Sequence, residues 1–236
     1  MHDKALVVPH PISFVEEVQA PCDRKRSVVF AGRLTKQKGV DTLLRAARIL
    51  KTESPEVLEH LKIRIVGEYV SGENPSGYGD CVTYTADALT DEDLERELRT
   101  SLFVVLPYER SGYAYVTPGT LYRALGCGTP VIVTALPSVN FVAAKNPLIG
   151  YVVNDARELA RVIRAVATQP IDEYRTLLNN VATFARSRSV TATADVLRRL
   201  LPLGRGVGGS EDARGHAQLL RPREQWRKNF VEDSDD

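Results

Sequence analysis

Cysteine is scarce in this chain: three in 236 residues, at positions 22, 81 and 127, none with a histidine close by. An odd number at such wide spacing speaks against a disulfide framework or a zinc site and fits a reducing compartment. Long apolar runs are missing as well. No stretch approaches the ~20 residues of a membrane span, and the start, Met1-His2-Asp3-Lys4, lacks the apolar core of a signal peptide. A cytoplasmic protein without a membrane span is the expectation. Nor is there an excess of charge: 31 Lys and Arg face 30 Asp and Glu, a net +1. No global field then favours nucleic acid or acidic lipid, and no nucleic-acid partner is expected. Internal repeats are absent.

What is present is an alternation. The length suffices for a proper core, as one domain or one domain with a tail. The apolar β-like runs are 28–31, 63–67, 81–84, 102–107, 130–134 and 150–153. Between them lie helical patterns, the first with Val40, Leu43, Leu44, Ala47 and Leu50 at the spacing of one buried face. Thr90 reads as an N-cap ahead of Asp91, Glu92 and Asp93, and Asp155 caps a helix with Leu159, Val162, Ile163 and Val166 inward. Two further helices are expected over 174–186 and 192–201. Near-continuous apolar strands suit a parallel sheet covered on both faces, so the chain reads as a doubly wound α/β domain.

Three segments follow. Residues 1–26 are an entry strand and linker, extended around Pro9 and Pro11. Residues 27–203 form the Rossmann-like domain. Residues 204–236, beginning in a glycine-rich stretch, are a flexible tail. Within that tail Gln225–Phe230, around Trp226, has the composition of a docking peptide, or of an undocked end.

The most informative stretch joins the first strand to the first helix: Val28-Val29-Phe30-Ala31-Gly32-Arg33-Leu34-Thr35-Lys36-Gln37-Lys38-Gly39. A helix start leaves N–H donors unpaired and carries positive partial charge, so cations in such a loop suit a phosphate. The same residues taken alone also fit solvated surface charges. A second block runs Leu106-Pro107-Tyr108-Glu109-Arg110-Ser111-Gly112-Tyr113 and on through Thr117-Pro118-Gly119-Thr120 to Gly128-Thr129-Pro130-Val131. Thr117 suits an N-cap, Pro118 the first helical position, and Gly119 would let a ligand approach the backbone. The helix start at 117–120 is a second candidate anion site.

In wording and order the two blocks resemble the nucleotide-sugar-binding, C-terminal half of glycosyltransferases of the two-domain GT-B fold, family 4 in particular. The resemblance runs from about residue 7 to about residue 201. It implies a single GT-B half-domain whose donor substrate is a nucleotide-diphosphate sugar such as a UDP- or GDP-sugar. It also implies transfer with retention, without a bound metal or other cofactor. Arg33 and Lys38 then take the catalytic role of holding the departing diphosphate, and Gly32, Thr117, Gly119 and Thr120 complete the donor site. Many members carry two glutamates separated by seven residues in the second block. The second, which receives the ribose hydroxyls, is replaced here by Arg123, which has no acceptor. Glu109 stands in for the first, or is a solvated loop glutamate.

The acceptor-binding half is not seen ahead of residue 7. Hence the expected partners are a second subunit carrying that half, or further copies of this chain covering apolar surface near residues 10–14 or on the last helices. A catalytically inactive regulatory or scaffolding subunit stays open as an alternative, and so does a piece of a longer enzyme. So does an α/β protein that binds a nucleotide or sugar phosphate without transferase chemistry.

Overall fold

A computed structural model describes residues 10–14, 20–114, 116, 118–139, 142 and 148–200. The strands are β1 (Lys25–Ala31), β2 (Lys62–Val66), β3 (Thr83–Thr85), β4 (Ser101–Leu106), β5 (Val131–Thr134) and β6 (Gly150–Val153). The helices are α1 (Val40–Glu53), α2 (Pro55–His60), α3 (Asp91–Thr100), α4 (Arg110–Tyr113), α5 (Gly119–Gly126), α6 (Ala156–Ala167), α7 (Ile171–Ser187) and α8 (Val190–Leu200). All strand pairs are parallel, in the order β3-β2-β1-β4-β5-β6. This is the doubly wound sheet that the continuous apolar runs predict.

Alternate residues of each strand feed two cores. Val28, Phe30, Ile63, Ile65, Phe103 and Val105 pack with Leu43, Leu44 and Leu50 of α1 and Leu159 and Ile163 of α6. Val29, Ala31, Val104, Leu106, Val131 and Val133 pack with Leu98 of α3, Leu121 and Leu125 of α5 and Val181 and Ala185 of α7. Fully burying one such aliphatic side chain contributes about 1.5–3 kcal/mol before chain entropy is set against it. The caps at Thr90 and Asp155 form, accepting from the N–H groups of Asp93 and Glu158.

Local details depart from the sequence reading. The strand expected over 81–84 starts two residues later, because the N–H groups of Cys81 and Val82 both donate to the Tyr78 carbonyl and close a turn. Pro118 precedes the α5 helix instead of opening it; its ψ of 111° is extended, and Gly119 is the first helical residue. A one-turn helix, α4, stands where only loop was expected. Arg24, assigned to the linker, is buried. Its guanidinium donates to the carbonyls of Ser101 (2.9 Å) and Gly128 (3.0 Å) and to Thr129 Oγ1 (2.9 Å), tying the amino ends of the central strands.

The entry segment packs onto the domain. Ile12 is buried and donates to the Arg188 carbonyl (2.7 Å). His10 stacks on Tyr122 with ring centroids 4.2 Å apart, and Phe14 is half-buried beneath the Arg186 guanidinium. Among the described residues the exposed large apolar side chains on the last two helices are Ile171 (53 %), Val190 (63 %) and Val196 (36 %). The tail over 204–236, with Trp226, lies outside the described residues. Among the described residues no helix is long and apolar enough to cross a membrane.

Candidate functional site

The strand order reverses between β1 and β4, so the connections leaving these two neighbours diverge and open a crevice at their carboxyl ends. Both blocks singled out in the sequence leave from there.

The first is built around Leu34. Its side chain is fully buried, its N–H donates to the Glu68 carbonyl (2.7 Å), and its carbonyl accepts from Val70 (2.9 Å). With Leu34 pinned inward, Arg33 beside it is exposed. A 3-10 turn, Lys36–Lys38, follows, capped by Thr35, and Gly39 (φ 76°) hands the chain to α1. Lys38 is half-buried, and its Nζ lies 3.6 Å from where a Cβ on Gly32 would stand. Burial depresses the Lys38 pKa, and the charge of Arg33 depresses it further. Among the described residues neither cation is paired with a carboxylate. Two convergent cations without an acid, at a helix start, form a site that favours an anion.

Two glycines let the loop sit where it does. A Cβ on Gly39 would stand 1.7 Å from the Pro107 carbonyl oxygen, and one on Gly67 (φ 140°) would stand 2.1 Å from the Gly32 carbonyl oxygen. The start of α1 therefore abuts the end of β4. Gln37 completes the latch: its carbonyl accepts from the Glu109 N–H (2.9 Å), and its side chain packs where Gly112 leaves room. The sequence gives no signal for Gln37 beyond its place between the two lysines.

In the second block Tyr108 is buried and stacks on Tyr113 at 4.3 Å. Burial raises the Tyr108 pKa, and a hydrogen bond with Thr120 partly offsets this. Thr120 is thus engaged from the first turn of α5 towards the β4 end. Nothing stands within 4 Å of a Cβ built on Gly119, so the space before that backbone is open. Thr117 lies outside the described residues. The Glu109 side chain lines a neighbouring cleft with Thr42, Arg45, Thr134 and Asn154, which neither Arg33 nor Lys38 lines. Arg123 is held on α5 by Asp91 (2.8 Å) and, more loosely, Glu95 (3.9 Å) of α3. Among the described residues no cluster of three or more His, Cys, Asp or Glu is placed to hold a metal ion.

A doubly wound parallel sheet with a cationic βα loop at its switch point defines a Rossmann-like domain. Residues 25–169 match the family model for glycosyl transferases group 1, and the chain belongs to that family. It is 27 % identical over 190 residues to a D-inositol 3-phosphate glycosyltransferase of Streptomyces avermitilis, covering 71 % of this chain and 38 % of that protein. The curated relatives it matches are longer throughout: the chain spans 35–45 % of their length. Among solved structures it shares its fold with the GtfA/B complex (TM-score 0.60, 16 % identity, 82 % of this chain and 39 % of that one). It also superposes on the C-terminal domain of a glycosyl transferase group 1 family protein, LpcC, of Francisella tularensis (TM-score 0.54, 13 % identity), covering 76 % of this chain and 97 % of that domain.

Proposed function

We propose that this chain binds a nucleotide-diphosphate sugar and supplies the donor half of a retaining glycosyltransferase, with the acceptor held by residues outside it. The observation that carries the reading is the Arg33–Lys38 pair, convergent, without an acid among the described residues, and set at the start of α1. In sugar transfer the bond between the anomeric carbon and the diphosphate oxygen breaks, and its electron pair stays on that oxygen. Arg33 offers a planar fork for phosphate oxygens and Lys38 a point charge. Together with N–H groups near Gly119 and Thr120 they would stabilise the growing negative charge. The Glu109 backbone is tied to this loop through its N–H bond to the Gln37 carbonyl, but the residue lines the neighbouring cleft, so the reading gives it no part in holding the diphosphate.

Titration calorimetry with UDP, GDP and their sugar esters tests the reading. Binding in the micromolar to millimolar range is expected. Arg33→Ala should lose roughly 1.5–3 kcal/mol, about ten- to a hundred-fold in affinity. Equal heats for the two proteins would remove the assignment.

Arg123 supports a second reading. Its guanidinium is engaged by Asp91 where the family glutamate would receive ribose hydroxyls, which favours a regulatory or scaffolding subunit that binds without turnover. Nucleotide binding with no donor hydrolysis and no transfer, even with an acceptor-binding chain supplied, would select it.

A further inference from the structure

The cleft that receives the Glu109 side chain has a volume of about 440 Å³ and lies at the carboxyl ends of β4, β5 and β6, between α1 and α6. Three arginines from three different elements line it: Arg45 of α1, Arg110 of α4 and Arg157 of α6. Arg110 donates to Asn154 Oδ1 (3.0 Å), and Arg45 bonds only within its own helix, to Thr42 Oγ1 and the Asp41 carbonyl. Among the described residues neither is paired with a carboxylate. A guanidinium carries five N–H donors, so both keep several to spare. At the end of β5 stands Thr134, 8 % exposed, lining the cleft. Its hydroxyl has no protein partner among the described residues. The hydroxyl is therefore open to the cleft, a space large enough for a small ligand.

We propose that this cleft is a second ligand site, separate from the diphosphate loop, that takes a phosphate monoester of a small polyol such as a sugar phosphate. Arg45 and Arg110 present forks that match phosphate oxygens. The Thr134 hydroxyl and the carboxylates of Glu109 and Asp155, both lining residues, accept from hydroxyl groups. Arginines alone would suit any anion; arginines interleaved with acceptors suit an anion that carries hydroxyls. The site goes beyond the donor reading, since Arg33, Lys38 and Gly119 do not line it.

The experiment is calorimetry on the full chain with glucose 6-phosphate, inorganic phosphate and glucose. Wild type is compared with Arg45→Ala, Thr134→Val and Arg33→Ala, and UDP serves as a parallel ligand. Glucose 6-phosphate should bind saturably, inorganic phosphate more weakly, and glucose not at all. Arg45→Ala should weaken the ester by about tenfold or more and Thr134→Val by roughly three- to tenfold, while UDP binding stays as in wild type. Arg33→Ala should do the reverse. Thr134→Val is nearly isosteric and Arg45 is exposed, so both variants should fold, which circular dichroism checks. The proposal is overturned by no heat with the ester at millimolar concentration, by glucose or bare phosphate binding as well as the ester, or by unchanged binding in Arg45→Ala and Thr134→Val. Loss of ester binding in Arg33→Ala alone overturns it too, because it would place the ester in the diphosphate loop.

Discussion

Lys38 illustrates how a residue proposed to bind ligand can work against the stability of its own fold. Burial and the neighbouring Arg33 both disfavour its charged form, in that order, so its folded pKa lies below the ordinary lysine value of 10.5. Below that depressed pKa the lysine is charged in both states, and the folded state carries the full cost. As pH rises from the folded value through 10.5, the unfolded chain holds the extra proton and the cost is relieved. Lys38→Met should therefore raise the melting temperature at neutral pH while weakening diphosphate binding. Affinity for a diphosphate should fall as pH climbs through the Lys38 pKa, and Arg33→Ala should move that fall to higher pH. Gly39 is a sharper case. A side chain there meets the Pro107 carbonyl at 1.7 Å with φ at 76°. Gly39→Ala should cost at least about 2 kcal/mol, a drop of roughly 4–8 °C in a domain of this size, read by thermal denaturation. Arg24→Met, at the opposite end of the sheet, removes charge-assisted bonds to buried acceptors and should cost about 2–4 kcal/mol.

At the scale of elements, the α3–α5 contact shows why a family position cannot simply be restored. Arg123 bridges to Asp91 and Glu95, so Arg123→Glu would set three carboxylates against one another. It should lower stability by up to about 1 kcal/mol, the range of exposed ion pairs, and leave nucleotide affinity unimproved. Adding Asp91→Asn should recover part of the loss, and denaturant titration of the single and double variants measures both. The same scale explains what the sequence could tell. Strands buried on both faces print as unbroken apolar runs, and α1 and α6 print one apolar stripe each, so the sheet, the order of the long elements and the caps at Thr90 and Asp155 were legible, whereas the start of α5 was not. One-turn elements carry no such print. The α4 turn and the Lys36–Lys38 turn exist because Glu109 bonds to Gln37 and Tyr108 stacks on Tyr113, contacts made across loops and invisible to periodicity. Arg24 looked like a linker charge because burial of a lone arginine depends on carbonyls more than seventy residues away. For the candidate site, the glycines and cations of the first loop stood out by type and spacing. The cleft around Thr134 did not, since its lining comes from four separate stretches of chain.

For the whole molecule, the sheet gathers two loops at one switch point and spreads a second, arginine-lined cleft beside them. On the donor-half proposal, the purified chain should show little sugar transfer to an added acceptor and at most slow donor hydrolysis. Robust transfer would mean that the acceptor site is built on this domain or across copies of it. The apolar side chains exposed on the last two helices, Ile171, Val190 and Val196, are where a companion chain or second copy would be sought. Light scattering should then report an oligomer burying more than roughly 1,000 Å², against a monomer at all concentrations if the surface is idle. The most direct test of the central claim is the map of backbone amide shifts on titration with UDP. The account predicts that the shifts centre on the Gly32–Gly39 loop and on Gly119 and Thr120, and that in Arg33→Ala they need about ten- to a hundred-fold more UDP. Shifts centred instead on Arg45 and Thr134, or none at saturating UDP, would contradict it.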